Sequence, residues 1–189
     1  VSIPRGAVLS VDDVKTREWP ELPADLDGLL SVRAAPQERA WGGPTAILNI
    51  GLCDAALPDL IAKVGEKAAF TLYRRFIHSF ASNIMGADPE AFDGITGEGA
   101  ARIDHCKAMF VEETDSDFPQ DPAVQLRMAL THMAKAWNRP SARILRRAKG
   151  APEDAGVALI VQKMALGIGK GAYGAGAMQM VDDITGEPK

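Results

Sequence analysis

Two strand-like regions of this chain lie on either side of about a hundred residues that read as helix, and that spacing constrains the fold more than any other feature. In the first fifty residues AVLSV, LLSVR and TAILNI are short runs of Val, Ile and Leu bounded by glycine and proline, the pattern of strands. After Glu153-Asp154 the pattern returns: Val157 to Met164 is an apolar run broken by Gln162 and Lys163, and Ala177 to Val181 is its expected partner. A repeating βαβ chain would alternate strand and helix throughout. A helical block inserted between sheet segments instead predicts an α+β fold. The segments are a β-rich stretch over 1–52, a helical block over 53–150 and a C-terminal β-hairpin over 151–189. At 189 residues they fit one compact unit.

Inside the block the helices announce themselves by period and by their ends. Phe70, Tyr73, Ile77, Phe80 and Ile84 recur at steps of three and four, which predicts one helix from Lys67 to Met85 stopped by Gly86. ARIDHCKAMFVEE reads as a weaker helix. Asp121-Pro122 supplies an N-cap residue and an N1 proline for a third, whose expected buried face is Leu126, Leu130, Met133 and Trp137. SARILRRAK is a short helix closed by Gly150.

Charge and cysteine usage exclude several classes of function. A net charge of −4 offers no basic field to nucleic acid. No window approaches the length of a membrane-spanning apolar run, and VSIPRGAVLSVDD has neither part of a signal peptide. Cys53 and Cys106 are isolated, which suits two buried thiols in a cytoplasmic protein. His78, His105 and His132 stand alone, without a metal-ligand spacing, so no metal site is expected from them.

The most suggestive motif is GIGKGAYGAG, where Gly169, Gly171 and Gly174 satisfy G-x-G-x-x-G. A dinucleotide loop needs a helix after it, because the pyrophosphate sits on that helix N-terminus. Here AGAMQMVDD follows, which alternates like a strand, and Lys170 is followed by Gly171 rather than by the Ser or Thr of a P-loop. The context favours a glycine-rich hairpin tip. SVRAA is more informative. Arg33, at the end of an apolar strand and followed by small residues, can aim a guanidinium at phosphate oxygens, or form a surface salt bridge. Gly42-Gly43 allows close backbone approach to an anion, or a tight turn.

Taken in order, these segments resemble a family. SVRAAPQERAWGGPTAILNIGL is similar to the stretch of pyruvate, phosphate dikinases that reads SVRSGA, MPGMMDT and ILNLGL. YRRFIHSFASNIMG, DFPQDPAVQLRMAL, AWNRPSARILRR, GVALIVQKM and GAMQMVDDITGE resemble later segments of the same family, and IPRGAVLS resembles its first strand. The resemblance runs nearly end to end. It implies an ATP-grasp-like module, the N-terminal nucleotide-binding part of dikinases and phosphoenolpyruvate synthases, which takes ATP with magnesium and passes phosphoryl groups to a histidine on a separate domain. By that resemblance Arg33 matches the phosphate-binding arginine, Gly42 the glycine of the loop over the phosphates, and Gln162 the glutamine of the V-Q-x-M strand.

The chain also departs from the family. Ala34 and Ala35 replace its serine and glycine, and Ala46 replaces a threonine, with Thr45 next door. The family's G-G-K-G lysine would fall ahead of Val1 and its metal-binding glutamate beyond Lys189, and no T-S-H phosphohistidine motif is present. Phosphoryl transfer depends on charge neutralisation by lysine, arginine and metal. The expectation is therefore a nucleotide-binding domain of kinase ancestry, without independent activity and with no catalytic residue assigned. The alternative is a non-catalytic remnant that acts as a protein-interaction or regulatory module, through a partner chain or self-association.

Overall fold

The computed structural model describes residues 3–169, 172, 174, 176 and 185–187. Four strands, β1 (Gly6–Leu9), β2 (Leu30–Pro36), β3 (Ile47–Ile50) and β4 (Val157–Lys163), form one sheet in the order β1-β4-β2-β3. Every neighbouring pair is antiparallel. The late strand β4 therefore lies between two early ones, which closes the unit across the helical block. The expected partner strand at Ala177–Val181, and Lys170 and Gly171 of the glycine-rich tip, lie outside the described residues.

The sheet has two unlike faces, set by the period-2 alternation of its strands. Leu159 sits opposite Leu9 and Ala34, and Val161 opposite Ala7 and Val32. Leu9, Val32, Leu159 and Val161 are buried under the helices. The intervening row, Val8, Ile160 and Arg33, points the other way. Val8 is 69% exposed there.

Helices occupy the first face. A short α1 (Val11–Thr16) begins at Ser10, whose hydroxyl accepts from the Asp13 amide while the Asp13 carboxylate accepts from the Ser10 amide. The run AVLSV is thus strand only as far as Leu9, because that capping box turns the chain. After α2 (Leu57–Val64), α3 (Glu66–Phe80) buries Tyr73, Phe76, Ile77 and Phe80. The expected last turn is not α-helical: Ala81–Met85 widens into a π-turn before Gly86. Then come α4 (Gly99–Thr114), α5 (Pro122–Trp137) and α6 (Pro140–Ala148). Asp121 caps α5 through the Ala123 amide at 2.8 Å, as its sequence predicts.

Two devices hold the block together. The Phe118 ring, on the loop between α4 and α5, meets Tyr73, Phe76, Phe80 and Phe110 at centroid distances of 6.1, 5.7, 5.6 and 5.3 Å. Each is an edge-on contact, worth about 0.5–1.5 kcal/mol beyond area burial. The second device is polar. Gln125 on α5 is fully enclosed; its Oε1 accepts from the Gly51 amide, and its Nε2 donates to the carbonyls of Leu52 and Pro119. The buried face of α5 is therefore Gln125, Ala129, Leu130, Met133, Ala134 and Trp137, with Leu126 only half-buried. Cys53 and Cys106 are free and buried, as expected from their isolation. Burial pushes the Cys106 thiol up, with Arg74 and Arg102 opposing.

Candidate functional site

Arg33 and Gln162, 129 residues apart, meet on the open face of the sheet. The register places Gln162 opposite Ser31, one same-face step from Arg33, a diagonal that long side chains span. An Arg33 guanidinium nitrogen donates to Gln162 Oε1. The Gln162 Nε2 donates to the Pro4 carbonyl at 2.8 Å, so the carboxamide is fixed at both ends. Gly6 lies opposite Gln162, and a Cβ there would fall 3.3 Å from Gln162 Cγ and 2.8 Å from the Val161 carbonyl oxygen. The glycine leaves β1 close against β4. The surface salt bridge that the sequence also allowed for Arg33 is not formed among the described residues, none of whose carboxylates lies within ion-pair distance of it. The result is an exposed, oriented cation with donors to spare.

Gly42 is not brought to this pair. It ends a short 3-10 turn, Arg39–Trp41, with φ at +73°, a conformation that favours glycine. Its loop packs on Ala34, across the strand from Arg33: a Cβ on Gly43 would sit 3.0 Å from that of Ala34. Gly42 instead lines a cleft of about 710 Å³ between its own loop, the π-turn, and α5 with α6. Neither Arg33 nor Gln162 lines it.

Four basic side chains do: His132, Arg139, Arg146 and Lys149, with no Asp or Glu among the lining residues. Arg146 is only 6% exposed. Its guanidinium lies 3.7 Å from the Trp137 ring centroid and donates to the Trp137 carbonyl. Burying such an ion costs several kcal/mol, of which stacking on an indole offsets about 2. Burial, then the neighbouring Arg143, lowers its pKa. Glu153 pairs with Arg143 and Arg147. His132 is half-buried; burial, then Arg139, then Lys135 push its pKa below the usual imidazole value, against the Ile84 carbonyl, which raises it. Its imidazole is therefore neutral at pH 7.

The sequence reading missed this cleft. It took His132 as isolated and SARILRRAK only as a helix. The signal that could have found it is the spacing of Arg139, Arg146 and Lys149, seven and three apart, which puts them on one helical face.

Open sheet, helices on one face and a fixed positive charge on the other: these features define an α+β domain. The chain is related to the pyruvate, phosphate dikinases. It is similar to the enzyme of that name from Rhizobium meliloti, 32% identical over 157 residues, covering 74% of this chain and 18% of the relative. It is 30% identical to that of Clostridium symbiosum over 178 residues, 84% of this chain and 20% of the relative. The chloroplastic enzyme of Flaveria pringlei is 29% identical over 178 residues, 85% of this chain and 19% of the relative. The chain thus spans about a fifth of the length of the curated relatives it matches. No protein-family model matches it. Among the described residues, no helix is long and apolar enough to cross a membrane.

Proposed function

We propose that this chain is a nucleotide-binding domain of dikinase type, ATP-grasp-like, in which the open sheet face receives ATP and Arg33 meets its phosphates. The observation that carries this reading is the anchored Arg33–Gln162 pair. A guanidinium pre-oriented by a neutral carboxamide keeps its full charge for a ligand, whereas a carboxylate partner would neutralise it. Gln162 is a positioning residue here. Gly42, on the other side of its strand, contributes only if its loop swings over the sheet.

The residues present suit a phosphate better than a metal. Among the described residues, no group of three His, Cys, Asp or Glu side chains could hold an ion. Magnesium would then arrive on the nucleotide, where it neutralises phosphate charge, and this chain would supply the arginine contact.

Thermal unfolding with Mg-ATP tests the reading. Binding to the folded state raises the melting temperature in a concentration-dependent way. Arg33→Ala is expected to abolish the rise and Gln162→Leu to reduce it. No rise at millimolar Mg-ATP would refute the proposal.

One observation favours a second reading, a non-catalytic interaction module: Ile144 and Leu145 on α6 are 70% and 63% exposed. Neighbouring apolar side chains left in water suit a partner surface. That reading gains if Mg-ATP gives no shift while the chain self-associates in light scattering and Leu145→Ser restores a monomer.

A further inference from the structure

The basic cleft has no part in ATP contact through Arg33, yet it has the construction of a ligand site. We propose that it binds a phosphorylated small molecule with an apolar or aromatic body, at a site separate from the open sheet face.

Charge is the first argument. Arg139, Arg146 and Lys149 converge on the cleft without an acidic residue in its lining, and Arg146 is buried without a counter-ion among the described residues. A buried structural cation is normally ion-paired; this one has the Trp137 ring and carbonyl but no counter-charge among the described residues. An incoming anion would be the missing partner.

Donor geometry selects the kind of anion. The three cations come from α6 and its two caps, Arg139 at the N-cap and Lys149 at the C-cap, while the Thr45 hydroxyl and the Asn83 carboxamide line the cleft from the Gly42 loop and the π-turn. A carboxylate presents two oxygens in one plane; a phosphate monoester presents three, spread around phosphorus, and can be gripped from both walls. The first turn of α6 adds to this. Its N-cap is Arg139, which makes no side-chain cap, and Ser141 and Ala142 line the cleft. Their region carries the positive end of the helix dipole.

The remaining walls specify the rest of the ligand. Trp41, Ile84, Met85 and Leu145 are apolar, and the volume of about 710 Å³ falls within the range of roughly 300–1,000 Å³ usual for small-molecule sites. Ile84 and Met85 belong to the π-turn, an arrangement concentrated at functional sites because it re-aims side chains that an α-turn would bury.

Tryptophan fluorescence of the 189-residue chain, titrated with phenyl phosphate, tests the proposal, because Trp41 and Trp137 both line the cleft. The expected result is saturable quenching, with affinity weakened about tenfold or more in the double variant Arg139→Gln, Lys149→Gln. Both of these residues are exposed, so the variant should fold, and circular dichroism checks that it does. Arg33→Ala is expected to leave this affinity unchanged even where it abolishes the Mg-ATP shift, so the two sites fail independently. Non-saturable quenching, equal affinity in the double variant, equal affinity for phenol, or loss of binding in Arg33→Ala would each overturn the proposal.

Discussion

Leu159 and Ile160 are neighbours on β4, yet they belong to different environments. Leu159 faces Leu9 and Ala34 beneath the helices and is wholly buried. Ile160 faces Val8 and Arg33 on the open side and is half-buried. One strand thus carries the core on its odd residues and, on its even ones, the glutamine that orients the candidate phosphate contact. The inner face is specified by packing, where shape is what matters. The outer face is specified by a few polar tethers: Gln162 to Pro4, and Arg33 to Gln162. What this division teaches is that stability and ligand recognition are separable along the same four strands, so substitutions should sort by face.

The largest effect is expected on the inner face. Leu159→Ala removes an enclosed side chain from a central strand and should cost toward the upper part of about 2–5 kcal/mol, read from urea unfolding midpoints. A loss below 1 kcal/mol would break the comparison, since the two faces would then be equally permissive. Gln125→Ala comes next and sharpens the picture within the core. It leaves the Gly51 amide and the Leu52 and Pro119 carbonyls without their partner, in a place water does not reach. The expected loss is about 2–3 kcal/mol. Gln125→Glu should do no better, because it removes both donors and buries a charge. Its recovery to wild-type stability would show that the hydrogen bonds of Gln125 are not what holds this turn in place.

Gln125 also marks where the sequence stops being legible. Periodicity located α3, the Asp121-Pro122 start located α5 and the Gly150 stop located α6, because local chemistry sets those features. The same reasoning gave β1, β2, β3 and β4 within a few residues. It could not place Gln125, since a polar residue beside Leu126 looks like the wet edge of a helix. Only the Gly51–Leu52 turn, more than seventy residues earlier, gives its carboxamide a reason to be inside. The π-turn was hidden for a different cause: Ile84 continues the three-and-four spacing of α3, so the apolar pattern does not report the change in winding. Part of the candidate site was readable. Arg33 and Gln162 were singled out separately, and the antiparallel register of β2 and β4 joins them. Gly42 was singled out with them but lies in the basic cleft, whose walls come from three distant segments that no local pattern connects.

The smallest expected effect is the most direct test of the outer face. Val8 is 69% exposed and opposite Ile160, at an edge strand of the described sheet. Val8→Thr keeps the branched shape and the strand preference, and it exchanges a methyl group that is already in water for a hydroxyl. Stability should change by no more than about 0.5 kcal/mol. Val32→Thr, the same exchange on the inner face, puts the hydroxyl where Val32 is fully buried against Val161 and should cost about 1–3 kcal/mol. The pair isolates environment from chemistry, because the atoms altered are identical. If the two losses were equal, Val8 would have to be covered in the folded chain. The open face would then be a buried one, with no room over Arg33 for a nucleotide.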